Sequence, residues 1–192
     1  MMTVAVIDGI VMTVAVITKA LQPRQTTTAR IAHSMTNRCG PVNQEVPSRM
    51  PRVLTESERE RFLTERHIAV LSVAAEDGRP PASVPIWYHY TPGGNIRINT
   101  DASRRKAKLI KRAGVVTLVV QREEPPYQYV VVEGTVVDTT APSPLEARQA
   151  IASRYLGEEG GREWVRSLGD YDSVLFTIRP ERWLTADFSD DQ

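Results

Sequence analysis

Cysteine is nearly absent: Cys39 is the only one in 192 residues. No intrachain disulfide can form, and a thiolate metal centre would need ligands that the chain lacks. A reducing cytoplasm is the natural setting for such a chain. Histidine is almost as scarce, and the spacing of His33, His67 and His89 matches no metal-ligand pattern. Long apolar runs are missing too. Val115 to Val120 and Tyr129 to Val137 are hydrophobic but far too short to cross a bilayer, so no membrane span is expected. Excess charge is absent, the formal net charge being +1, which argues against a surface that coats nucleic acid. Finally, no Ser or Cys stands with a His and an acid in a recognisable nucleophile and base pattern. The chemistry must then come from a cofactor.

What is present fits one soluble globular domain with some extra length: 41% of residues are hydrophobic, 24% are charged and 13 are prolines. The extra length is at the front. Met-Thr-Val-Ala-Val-Ile occurs at 2 to 7 and again at 12 to 17, and the stretch from Gln22 to Arg49 is Thr-rich, broken by proline and aperiodic. Asp8 and Lys19 sit where a secretory signal would not have them, and Lys19 to Arg38 has a transit-peptide composition without an amphipathic pattern. The reading therefore places a folded domain at 50–192 and takes 1–49 as a disordered extension or a start assigned too early.

Within the domain, Thr55 and Glu58 form a capping box ahead of a helix whose apolar stripe is Phe62 and Leu63. Ile68 to Ala75, the Asp77-Gly78 turn and Ala82 to Tyr90 read as a hairpin, and Pro92-Gly93-Gly94 leads into the alternating strand Asn95 to Thr100. After a basic helix from Ser103 to Arg112, Gly114 releases the chain into Val115 to Gln121, followed by Tyr127 to Asp138. A helix from Leu145 ends at Gly157, a short one covers Arg162 to Leu168, and Ser173 to Ile178 and Arg182 to Phe188 close the sheet on either side of Pro180. The expected fold is mainly β: a six-stranded antiparallel split barrel with flanking helices.

The junction of the third strand with the basic helix, Thr100-Asp101-Ala102-Ser103-Arg104-Arg105-Lys106-Ala107, is the most informative segment. Between Arg97 and Arg112 there are seven Lys or Arg and one acid, Asp101, so the basicity is local. Ser103 is placed to cap the helix, whose first N–H groups and positive dipole end attract an anion, and Arg104, Arg105 and Lys106 add cationic donors there. A phosphorylated cofactor is the ligand this favours. A solvated helix face, with Arg104, Lys108, Lys111 and Arg112 near helical spacing, is the plainer reading of the same residues, as barrel packing is for Trp87 and Tyr129.

The order of elements, together with Asp77-Gly78-Arg79-Pro80, Ser83 to Tyr88, Thr100 with Arg104, Lys106 and Ala107, Tyr129 to Thr135 and Ile178-Arg179-Pro180-Glu181-Arg182, resembles the pyridoxamine 5'-phosphate oxidase-like split-barrel superfamily. More narrowly it is similar to the branch that uses the deazaflavin coenzyme F-420. The resemblance implies that Arg104 and Lys106 hold the cofactor phosphate and that Arg105 matches a basic residue of the oxidase branch. It implies further that Thr100 approaches the cofactor and that Val84, Pro85, Ile86 and Trp87 line its ring, largely through their backbone. Tyr129 would contact the cofactor of a second subunit, which implies a homodimer with sites at the interface. The Trp and Arg pair near the last strand that helps bind cofactor and pyridoxamine phosphate in the oxidase branch has no match here, which argues against vitamin B6 oxidation. The implied activity is hydride transfer from coenzyme F-420 to an activated double bond of a small organic substrate. FMN-dependent oxidoreduction and non-catalytic binding of flavin, deazaflavin or haem are the alternatives.

Overall fold

The computed structural model describes residues 51–76 and 78–189, with the backbone of two short strands further forward. The chain divides into two units, Met1–Ser48 and Arg49–Gln192. In the first, β1 (Val4–Ile7) pairs antiparallel with β2 (Ile10–Thr13), Val4 opposite Thr13. The other expectations for 1–49, with Cys39 and His33, lie outside the described residues, as does Asp77.

In the second unit the chain enters as a strap. Arg52 exchanges backbone hydrogen bonds with Asp187, at 3.0 and 2.8 Å, and its guanidinium donates to Asp187 Oδ2 at 2.6 Å and to Glu58 Oε2 at 2.9 Å. Helix α1 (Glu56–Thr64) then starts on the expected capping box, Glu58 N–H donating to Thr55 Oγ1 and Thr55 N–H to Glu58 Oε2. Phe62 and Leu63 are its buried residues. The Arg52 hydrogen bond, followed by those from Thr55, holds the Glu58 carboxyl down at about 2. At Asp187 burial pushes upward, but hydrogen bonds from Ser189, Gln128 and Arg52 outweigh it and its carboxyl also lies below the usual range. Both acids are depressed in the folded state. Their contribution to stability is present above the ordinary carboxylate range and is lost as pH falls from about 4.5 toward 2. Thermal unfolding across that window is expected to show a falling melting temperature, and Arg52→Met should flatten the fall; an unchanged slope would remove the strap from the account.

One curled antiparallel sheet holds the core: β3 (Ala69–Val73), β4 (Ala82–Ile86), β5 (Tyr88–Tyr90), β6 (Ile96–Asp101), β7 (Val115–Gln121), β8 (Gln128–Thr140) and β9 (Ser173–Asp187). The order is β4-β3-β7-β8-β9-β6-β5, so there are seven strands in place of the six expected. The strand bounds differ in two places, of which only the first raises the count. The run Ala82 to Tyr90 breaks at Trp87, and its halves lie at opposite edges of the sheet, which can hold only if the sheet curls until those edges meet. Conversely, the run expected to stop at Pro180 is a single strand. Proline lacks an N–H, but β6 pairs with β9 only as far as Ile178, and on the β8 side Pro180 sits at a bulge opposite Gly134. A Cβ at Gly134 would lie 2.5 Å from Ile178 Cγ2 and 2.9 Å from Arg179 O, so this close passage of β9 requires glycine.

The alternating inner residues fill the half-barrel, Leu71, Tyr88, Ile98, Leu118, Val130, Val132, Phe176 and Ile178 among them. Helix α2 (Arg105–Ala113) adds Ala107, Leu109 and Ile110 to the same core, and α1 adds Phe62 and Leu63. Helix α3 (Leu145–Ser167) packs Ala147 and Ile151 on Leu175 and Trp87, and it changes direction at Gly157, whose φ of 76° and ψ of 168° are not helical. The sequence break at Gly157 is real, but the second limb resumes at once rather than at Arg162. No helix among the described residues is long and apolar enough to cross a membrane.

Candidate functional site

Most of the sequence-derived site residues lie on the elements that flank the seam of the half-barrel, β4, β6 and the start of α2. β5 pairs with β6 with Tyr88 opposite Ile98 and Tyr90 opposite Ile96. Carried two residues further, that register would set Ile86 opposite Thr100. Instead β4 turns away to pair with β3, leaving its other edge unpaired by any described strand. Val84, Pro85 and Ile86 line that open edge, where Pro85 is tolerated because no sheet partner needs its N–H. Thr100, 7% exposed, lies across the seam near the end of β6.

From there the chain runs straight into α2. Asp101 captures Ser103, accepting from its N–H at 2.8 Å and its hydroxyl at 2.6 Å. These bonds, the hydroxyl first, and the nearby Arg104 and Lys106 charges hold the Asp101 carboxyl below its usual range. Ser103 is therefore a turn residue and not the helix cap. The cap position falls to Arg104, which makes no side-chain capping bond, and the first turn of α2 contains no acid. A helix start without a capping side chain, followed by cations, favours an anion at that end. Arg104 and Arg105 are exposed, and Arg104 lies 3.7 Å from Asp101 Oδ2. Lys106 is 7% exposed.

Trp87 and Tyr129 are placed differently. The Trp87 indole stacks on Tyr155 at 4.8 Å and 8° and tilts against Trp164 at 5.9 Å, so its side chain is engaged under α3. Tyr129 is half-buried near the start of β8, on the outer sheet face shared with Val131, with its ring 6.4 Å from Phe188.

Sequence reasoning missed a cleft of about 610 Å³ at the other end of α2, lined by Ser72, Val115, Thr117, Glu133, Gly134 and Arg182 among others. It contains none of the residues expected at the cofactor. Its walls come from β3, β7, β8 and β9, whose juxtaposition depends on strand pairing that no local pattern reveals. Among the described residues no cluster of three or more His, Cys, Asp or Glu could hold a metal.

No curated protein matches the chain. Among solved structures, an F420 reductase is 24% identical with a TM-score of 0.53, covering 65% of this chain and 94% of its own. A conserved hypothetical protein from Mycobacterium tuberculosis is 21% identical, TM-score 0.57, covering 73% and 89%. An FAD-binding protein from Mesorhizobium loti is 19% identical, TM-score 0.51, covering 72% and 96%. At these identities the likeness is one of fold. The model of the family described as pyridoxamine 5'-phosphate oxidase matches residues 55–187, nearly the whole of the half-barrel unit, and the chain belongs to that family.

Proposed function

We propose that the protein is a deazaflavin-dependent oxidoreductase that uses coenzyme F-420 to reduce an activated double bond of a small organic substrate. The observation that carries this reading is the acid-free, cation-rich start of α2 beside the open edge of β4. Arg104, Arg105 and Lys106, with the first N–H groups of α2, would hold the cofactor phosphate, and the Thr100 hydroxyl would approach it. The open edge from Val84 to Trp87 would offer backbone donors and acceptors to the ring, as an edge strand can. A bound deazaflavin supplies two electrons as a hydride, and the chain's part is to anchor the tail, orient the ring and exclude water. The F420 reductase among the structural neighbours supports this choice, and the FAD-binding neighbour supports FMN as the second reading.

The working unit is proposed to be a homodimer formed on the outer face of the sheet. Pro85, Val70, Val119, Val131 and Leu184 follow one another in register across five strands as an apolar row, with Val70 37% and Leu184 61% exposed. An exposed row of this kind suits a self-complementary two-fold contact, and Tyr129 on the same face would then reach the second copy. Leu184→Asp is expected to give monomers by light scattering and to weaken cofactor binding; a variant that stays dimeric would remove this face from the interface.

Fluorescence titration of the purified protein with coenzyme F-420 and with FMN tests the cofactor choice. The deazaflavin is expected to bind about tenfold tighter or more, and the reduced form to be oxidised by at least one member of an enone and quinone panel. Tighter FMN binding would favour the flavin reading, and tight binding without turnover would leave a carrier protein.

A further inference from the structure

Between α3 and the outer face of β5 and β6, arginines stand without direct ion-pair partners. Arg97 on β6 and Arg148 and Arg154 on α3 are each half-buried, yet none forms an ion pair with a described residue. Arg154 lies over the Tyr88 ring at 4.2 Å and donates to the carbonyls of Leu63 and Glu65, while its Nε is buried without a hydrogen-bond partner, as is that of Arg148. Arg97 donates to His89 Nδ1 at 3.2 Å. A guanidinium only donates, so Nδ1 accepts, and the neutral ring carries its proton on Nε2. Burial first, then the Arg97 and Arg154 charges, keep His89 neutral by lowering its pKa.

Beside these groups lies a cavity of about 520 Å³. His89, Ser153 and Arg154 are its half-buried lining, and Glu146 and Glu158 its exposed lining. Arg162 also lines it and is engaged by Glu159 at 2.6 Å and, more loosely, by Glu158 at 3.9 Å, so Glu146 is the less committed of the two carboxylates. The half-buried lining, which also includes Gln149 and Ala150, thus carries the donors of Arg154 and His89 beside the two-way hydrogen-bonding groups of Ser153 and Gln149, and the exposed lining carries two carboxylates. Half-buried positive charge calls for a counter-ion, and the volume is that of a small-molecule site. An apolar ring would strand these polar groups.

We propose that this cavity binds a small zwitterion of the amino-acid type, its carboxylate inward on Arg154 and His89 and its ammonium outward on Glu146 and Glu158. The site shares no residue with the cofactor site and stands whether or not a deazaflavin is the cofactor.

Nuclear magnetic resonance of the His89 imidazole in the full chain tests this, with L-alanine, L-glutamine and L-phenylalanine as probes and acetate and methylammonium as their halves. The charged groups facing His89 are Arg97 from β6 and Arg154, Glu146, Glu158 and Arg162 from α3; α1 contributes only Thr64 to the cavity wall. At least one amino acid should shift the His89 signals saturably, about tenfold tighter than acetate or methylammonium. At saturation the His89 titration midpoint should rise, since a carboxylate then stands beside the ring. Ala150→Trp, which fills the cavity, should abolish the shift, and Glu146→Gln, at an exposed position that leaves folding intact, should narrow the gap between amino acid and acetate. No saturable shift at millimolar amino acid, acetate binding as tightly as the amino acids, or a gap unchanged in Glu146→Gln would each overturn the proposal.

Discussion

Replacing Arg104 and Lys106 together by alanine is expected to weaken cofactor binding by about 3 kcal/mol, more than a hundredfold in Kd, with the fold intact. Each charge-assisted hydrogen bond to phosphate is worth about 1.5 to 3 kcal/mol. The lower figure suits Arg104, which keeps more than half its side chain in water and already has Asp101 at 3.7 Å. Lys106 is the stronger contributor, being buried at the same helix start. The helix itself should survive the change, because α2 packs through Ala107, Leu109 and Ile110 and ends on Gly114 in the left-handed conformation. Titration of the double variant, with circular dichroism as the folding control, checks this. Unchanged affinity would take the phosphate away from α2.

Gly161→Ala should be the most damaging small substitution in α3. Beyond Gly157 the second limb folds back so tightly that a Cβ at Gly161 would sit 2.5 Å from Ser153 N and 2.7 Å from Ser153 Cα. Those are backbone atoms that cannot swing aside. Overpacking of this kind costs about 1 to 3 kcal/mol, and the upper end applies where backbone meets backbone. At about 2 to 4 °C per kcal/mol for a chain of this size, the melting temperature should fall by roughly 6 to 12 °C. Gly157→Ala serves as the comparison. It meets nothing within 4 Å and bears only the strain of a positive φ, so its loss should be the smaller of the two. Equal stability of Gly161→Ala and the parent chain would mean that the two limbs do not pack as described. The Trp164 contact with Trp87, and so the covering of the β4–β5 break, depends on that packing.

The parts of the fold that were legible in the sequence are those decided within a few residues. Thr55 and Glu58 satisfy each other's backbone locally, and Gly114 ends α2 through its own backbone conformation. Alternation along Asn95 to Thr100 reports a sheet with one buried face, the apolar run Val115 to Gln121 reads as a strand after Gly114, and both strands form there. What escaped was decided at long range. Trp87 interrupts a continuous strand pattern because its indole is drawn under α3 by Tyr155 and Trp164, residues far along the chain. Pro180 fails to interrupt its strand because β6 has already stopped pairing and β8 bulges beside it, neither of which composition reveals. At the candidate site the clustering of cations was visible, but the assignment of Ser103 as the cap was not correct. Its hydroxyl finds Asp101 two residues back, and short-range competition of this kind is the reason such residues serve turns as readily as caps. The arginine wiring beneath α3 left no sequence signal at all, since Arg97, Arg148 and Arg154 are dispersed over two elements.

The crystal structure of the protein with coenzyme F-420 bound tests the central claim most directly. The account predicts the phosphate within hydrogen-bond distance of Arg104, Arg105 or Lys106 at the start of α2, with the ring along Val84 to Trp87. A phosphate held elsewhere, such as in the cleft between Ser72 and Arg182, would contradict it.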